Sequence, residues 1–282
     1  MDLKSTLLVV AGSVCSFKLL NTILRFLPTP EQALNKSWRW RNISTSLAHS
    51  SLSGAWAVLC FYLQPQLLED LISRHSLLSH SLVAVSTGYF IHDLLDVALN
   101  RPCKQSWEVL LHHSAKHAAN TENTTKYKNA ARMTQNLNIN QRFQFDCIIQ
   151  VLSCFGLALT SRLYVGYCVV SLLIEINSVF LHIRQLLLLS GRRNRTDTTT
   201  PRPSVTYSVT SWLTLATMFV FRVCTVGWMT RWLVAHSEHM PRFVLTMGAT
   251  GLSLISIMNV VLLYRLIRAD FISNTHNTSG DL

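Results

Sequence analysis

Between Tyr164 and Leu189 the chain reads YVGYCVVSLLIEINSVFLHIRQLLLL. As a helix rising about 1.5 Å per residue, this stretch exceeds the roughly 30 Å hydrocarbon thickness of a bilayer. Its bulk is Val, Leu, Ile and Phe, yet Tyr167, Ser171, Glu175, Ser178, His182 and Gln185 recur at steps of 4, 4, 3, 4 and 3. That spacing places all six on one helical face. Ionisable groups inside a membrane helix are costly, so they turn toward the bundle interior and mark a functional site. The stretch therefore predicts an all-α, polytopic transmembrane bundle around a polar cavity.

Six further apolar runs extend the reading to the rest of the chain: Ser5 to Phe26, Ser44 to Leu63, Leu77 to Leu99, Cys147 to Thr160, Val205 to Val234 and Phe243 to Ile267. The first could be a signal peptide, because Lys4 precedes its apolar core. It lacks a small-x-small cleavage site and stays apolar to Phe26, so it reads as a retained helix. The run from Cys147 is short, and the polar tract before it, Ala115 to Asp146, has no hydrophobic face and reads as a solvated loop.

Composition supports a membrane protein. Charged residues make up 14% of 282 and apolar residues 49%, against about 25% charged in ordinary soluble domains. The seven cysteines have neither paired nor zinc-site spacing, and they read as small apolar fillers.

The 25 Lys and Arg outnumber the 14 Asp and Glu, leaving a formal charge of +11. With Trp107 to His113 taken as a surface or entering helix and the run from Cys147 counted as a crossing, the linkers after the first, third and fifth runs, with the C-terminal region, carry 17 positive charges. The opposite side carries five, Lys4, Arg74, Arg162, Arg231 and Arg242, and the spans hold Lys18, Arg184 and Arg222. The positive-inside rule places the basic side in the cytosol, with the N-terminus outside. Orientation accounts for these charges, and the basic loops lack interleaved aromatics, so nucleic acid is not a partner.

Other runs carry polar stripes of their own. Tyr89, His92, Asp93, Asp96 and Asn100 recur at helical spacing, as do Asn42, Ser46, His49 and Ser53; Glu108 stands one turn before His112, with His113 beside it. Two readings remain open. Such groups can be interhelical glue, Ser, Thr and Asn satisfying one another. Alternatively they line a chamber for a lipid headgroup or polar substrate, with His49, His92, Asp93, Asp96, Glu175, Asn177, His182 and Arg222 as the polar lining. Asp93, Asp96, His112 and His113 offer metal ligands but no fixed-spacing motif such as HExxH, so no metal or cofactor is assigned. His112 and His113 could serve as base and acid in acyl transfer, with Glu108 orienting a ring. A channel or transporter has little support, because no Gly/Pro-broken half-helices pair across the chain.

Several motifs carry a family resemblance: Trp38-Arg39-Trp40-Arg41-Asn42, Ser46-Leu47-Ala48-His49-Ser50, Gly88-Tyr89-Phe90 with Asp93 and Asp96, Ser106-Trp107-Glu108 with His112-His113-Ser114, and Ser171 to Ser178 with Leu181-His182-Ile183-Arg184. Together they resemble the TLC domain family over nearly the whole chain. The resemblance implies an N-terminal helix and basic linker over 1–43, a transmembrane domain over 44–268 and a cytosolic tail over 269–282. In the family the His-His pair leads directly into the next apolar helix, so residues 115–148 read here as a polar insertion. It further implies a multi-pass plasma-membrane protein that regulates phospholipid composition and fluidity. Such a protein would limit incorporation of fluidising polyunsaturated acyl chains, with membrane phospholipids or acyl lipids as partners. The rival it implies is an acyl-CoA-dependent acyltransferase related to ceramide synthases, using His112 and His113. Against that rival, Glu175 and Asn177 stand where ceramide synthases carry two Asp.

The charge layout makes a direct prediction. Five sequons, at Asn35, Asn42, Asn123, Asn194 and Asn277, all fall on the side assigned to the cytosol, so none is glycosylated. Endoglycosidase treatment of the protein from a eukaryotic host should leave its mass unchanged; a downward shift would overturn the topology.

Overall fold

A computed structural model describes residues 2–100, 146–193 and 204–272, and among these no strand occurs. The helices are α1 (Leu3–Ile23), α2 (Ser37–Leu63), α3 (Leu77–Asn100), α4 (Asp146–Ser161), α5 (Val165–Leu189), α6 (Val205–Ala235) and α7 (Arg242–Ile267). Five of them, α1, α3, α5, α6 and α7, are long and apolar enough to cross a membrane. The protein is therefore a polytopic transmembrane helix bundle.

The two exceptions have different causes. α4 is short, at 16 residues or about 24 Å. α2 has length to spare but is too polar, because it turns Thr45, Ser46, His49, Ser50 and Ser53 inward, where all are buried. Its opposite face exposes Leu52, Val58, Leu59 and Tyr62. The interior polar face is tolerable because α1, α3 and α5 pack around it.

Contacts at both ends confirm that consecutive helices run antiparallel. At one end Arg193 donates to the Ala269 carbonyl at 2.9 Å, and Gly191 lies against Gln32 in the α1–α2 linker. This basic end carries Arg25, Lys36, Arg39, Arg192, Arg193, Arg265 and Arg268. At the other end the Tyr164 amide donates to the Ile72 carbonyl at 2.7 Å, and Leu71, Leu233 and Met240 share an apolar cluster. A second apolar cluster joins α2, α3, α4 and α5 through Ala57, Leu82, Phe155 and Val169.

Two departures from α geometry shape the interior. In α5 the Leu173 amide bonds the Val170 carbonyl and the Ile176 amide bonds the Leu173 carbonyl. These i to i−3 bonds tighten one turn and rotate the downstream face. In α6 the segment Phe219–Cys224 is π-helical, a wide turn often found at functional sites.

The basic end is closed by an ion pair. Arg184 makes two bonds to the Asp270 carboxylate, at 2.6 and 2.7 Å, and the Tyr207 hydroxyl donates to the same carboxylate at 2.5 Å. α5, α6 and the turn extending α7 are thereby held together by one carboxylate.

α1 joins the bundle through Gly88 of α3. A Cβ there would lie 2.5 Å from both Ser13 Cβ and the Val10 carbonyl oxygen, and the Ser13 hydroxyl donates to the Val85 carbonyl at 2.6 Å. The Gly88→Ala variant should therefore lose about 1–3 kcal/mol by overpacking, read as a lower thermal midpoint in detergent. Gly12→Ala, where nothing lies within 4 Å of the added Cβ, should leave the midpoint unchanged or slightly raised.

Candidate functional site

The polar interior has two halves that meet at α2. In the first, α2 faces α3. The Trp38 indole donates to Asp96 Oδ2 at 3.0 Å, and the Asn42 amide donates to Asp93 Oδ1 at 3.0 Å. Asn100, one turn beyond Asp96, donates to its Oδ1 at 2.9 Å. Charged acceptors make the stronger hydrogen bonds, so both carboxylates are held in place. Deeper along α2, the Tyr89 hydroxyl donates to Ser46 Oγ at 2.9 Å, and Ser46 donates to the Asn42 carbonyl at 2.8 Å. The His49 ring stacks on Tyr89 with centroids 3.8 Å apart and planes 8° from parallel. Phe17 and Phe90 meet it edge-on. Despite this enclosure, among the described residues neither ring nitrogen of His49 has a hydrogen-bond partner, and the same holds for His92.

In the second half, α5 faces α2, α6 and α7. Glu175 Oε2 accepts from the Ser50 hydroxyl at 2.6 Å. Arg222, on the wide turn of α6, is the hub: its guanidinium donates to Asn177 Oδ1 at 2.6 Å, Ser178 Oγ at 2.8 Å and Asn259 Oδ1 at 3.0 Å. Asn177 in turn donates to the Thr214 carbonyl and to Thr217 Oγ1, both at 2.9 Å. These hydrogen-bond partners of Arg222 are neutral, and Glu175 lies within electrostatic reach. His182 is within electrostatic reach of Glu175, Arg222 and His49, and its Nδ1 has no partner among the described residues.

The residues singled out from sequence thus separate into sets. His49, His92, Asp93 and Asp96 gather between α2 and α3; Glu175, Asn177, His182 and Arg222 gather around α5. His49 links the two. Glu108, His112 and His113, with the 115–148 tract, lie outside the described residues. The single polar face expected for α5 is divided by the tight turn at Leu173: Tyr167 and Ser171 line an apolar cavity, whereas Glu175 meets α2 and Ser178 meets Arg222.

Some partners escaped sequence reading. Asn259 was missed although it is the sole carboxamide in the α7 run, a signal that could have found it. Ser50 was missed too, although it follows Ser46 by one helical turn and precedes Ser53 by three residues, a spacing that could have found it. Asp270 lies just beyond the last apolar run, and its pairing with Arg184 spans 86 positions.

Chemically, the arrangement brings three carboxylates, one guanidinium and three incompletely partnered imidazoles into an apolar bundle. Buried polar atoms left without partners are costly. The arrangement therefore suits a polar group that brings its own donors, acceptors or charge.

Comparisons with known proteins place the chain. The TLC domain profile matches residues 39–120. The chain is 42% identical over 271 residues to TLC domain-containing protein 2 of Danio rerio, covering 96% of this chain and 92% of that protein. It is 37% identical over 268 residues to TLC domain-containing protein 2 of Homo sapiens, covering 95% and 85%. With TLC domain-containing protein 1 of Gallus gallus the identity is 30% over 267 residues, covering 93% and 87%. No solved structure matches. The chain belongs to the TLC domain family.

The Arg222 hub makes a specific prediction. Lysine is a point charge without the planar fork that reaches three acceptors on two helices. Arg222→Lys should lower stability by about 2–4 kcal/mol, and in the Asn259→Leu background the same change should cost less, because one partner is already gone. Thermal midpoints of the four proteins of this cycle measure the difference; strictly additive shifts would contradict a shared network.

Proposed function

We propose that this multi-pass membrane protein uses its polar interior to hold the polar part of a membrane lipid. In doing so it regulates the phospholipid composition and fluidity of the plasma membrane, limiting incorporation of fluidising polyunsaturated acyl chains into phospholipids. Membership of the TLC family supports a lipid-related role in the membrane. The observation that carries the reading is the set of buried, unpartnered ring nitrogens of His49, His92 and His182, set among Asp93, Asp96, Glu175 and Arg222. Bilayer hydrocarbon satisfies none of them, whereas a zwitterionic headgroup brings both signs of charge and several acceptors.

In this reading Asp93, Asp96 and Glu175 meet the cationic part of the ligand, and Arg222 meets its anionic part. Asn177 is a positioning residue, since its oxygen accepts from Arg222 and its amide is tied to α6. The acyl tails stay against Leu and Val of the surrounding helices.

The test is a lipidome comparison. Cells lacking the protein should shift their phospholipids toward polyunsaturated species, and wild-type chain should reverse the shift. The Glu175→Gln and His49→Phe variants, expressed at normal levels, should restore less than half of it. An unchanged lipidome on deletion would overturn the proposal. The His112→Ala/His113→Ala double variant separates the acyltransferase alternative: full restoration by that variant excludes catalysis through this pair.

A further inference from the structure

A second feature lies away from the polar network, between α4, α5, α6 and α7. There the helices leave a cavity of about 60 Å³, set within about 500 Å³ of atom-free space that includes the open exterior of the bundle. Its walls include Cys154 and Phe155 of α4, Tyr167 and Ser171 of α5, Gly251 and Ile255 of α7. Nearly all of this surface is apolar, and the hydroxyl of the wall residue Tyr167 is buried without a hydrogen-bond partner among the described residues. The other polar side chains of the wall are already engaged. Ser171 donates to the Cys168 carbonyl at 2.7 Å, and Gln150 to the Met247 carbonyl at 2.8 Å.

The depth of that hydroxyl is informative. Tyr167 is two residues into α5, counting from Val165, so its Cα lies only about 3 Å below the start of the helix. Its ring packs on Trp232 at 5.2 Å, and Trp232 stacks on His236 at 4.4 Å, at the end of α6. Aromatic side chains with a polar tip collect at this level of a membrane, where headgroup meets hydrocarbon. From there the cavity runs inward along α5 and α7 to Ser171 and Ile255, the latter about 20 Å from the start of α7. An oxygen acceptor at interfacial depth followed by hydrocarbon running to mid-membrane is the chemistry of an acyl group.

We propose that this cavity is an acyl-chain site, distinct from the polar network. A fatty-acyl tail lies between α4 and α7, and its carbonyl or carboxylate oxygen accepts from the Tyr167 hydroxyl. Glycine at 251 keeps the space open. The nearest atoms a Cβ there would meet are side-chain atoms, Gln150 Cγ at 3.5 Å, Gln150 Nε2 at 3.7 Å and Cys154 Sγ at 4.0 Å, so a larger side chain would grow into the cavity against side chains rather than backbone. The site does not rest on the headgroup reading of the network, because its occupancy is read directly on the protein rather than through the cell's lipids.

The test uses the full chain in phosphatidylcholine vesicles with two photoreactive probes: a free fatty acid, and a phosphatidylcholine, each carrying a mid-chain diazirine. Labelled sites are mapped by peptide mass spectrometry. Labels are expected on Cys154, Phe155 or Ile255 in excess over the lipid-exposed Leu8 and Leu19 of α1. Gly251→Leu should cut that labelling about tenfold or more, and Tyr167→Phe, which keeps the ring, about fivefold. If Gly251→Leu fails to give folded protein, Ser171→Leu fills the cavity from the α5 wall with the same expected loss. Selective labelling by either probe supports the site and identifies the source of the chain. Labelling no greater than that of Leu8 and Leu19, or unaffected by the filling variants, would overturn it.

Discussion

Hydrocarbon offers polar side chains no partners, and this constraint organises the molecule. Any amide, hydroxyl or charge placed within the spans must be answered from inside the bundle. α2 shows the consequence most plainly. Too polar to face lipid on all sides, it is enclosed by α1, α3 and α5, with Ser46, Ser50, Ser53 and His49 buried. Close approach of α1 at Gly88 completes the enclosure and brings Phe17 onto the edge of the His49 ring.

Within that enclosure polar groups are joined by direct hydrogen bonds across helices, and backbone irregularities aim them. The wide turn at Phe219–Cys224 carries Arg222, whose guanidinium links α6 to Asn177 and Ser178 of α5 and to Asn259 of α7. The tight turn at Leu173 separates the hydroxyls that face the apolar cavity from the residues that face α2 and Arg222. One helix, α5, thereby serves two environments. Among the described residues the network is only partly satisfied, and the groups left over include the imidazoles of His49, His92 and His182. A structure evolved solely to glue helices together would have little reason to bury them unpaired.

Much of this was legible in the sequence, because lipid imposes simple rules. Apolar length marked the spans, including the α5 and α7 runs, and helical spacing grouped Asn42, Ser46 and His49 on one face and Asp93, Asp96 and Asn100 on another. The structure brings these two faces together through Asn42 and Asp93. Periodicity alone assumes a uniform helix, so it assigned Tyr167 and Ser171 to the same face as Glu175; the three-residue turn at Leu173 undoes that. Pairings distant in sequence were also hidden. Nothing local to Arg184 announces Asp270, and nothing local to Ser50 announces Glu175, 125 positions away, as the acceptor of its hydroxyl.

Taken together, the bundle presents a polar interior reached by α2, α3, α5 and α6, and an apolar cavity on the far side of the Leu173 turn. Both suit amphipathic ligands, and both depend on keeping polar groups away from bulk lipid. The central claim is that the interior polar groups are completed by a lipid. Native mass spectrometry of the detergent-purified chain tests it most directly. Wild-type protein is expected to retain a phospholipid adduct that disappears in the Glu175→Leu/His49→Phe variant while helix content is unchanged; equal adducts on both proteins, or none on the wild type, would contradict the claim.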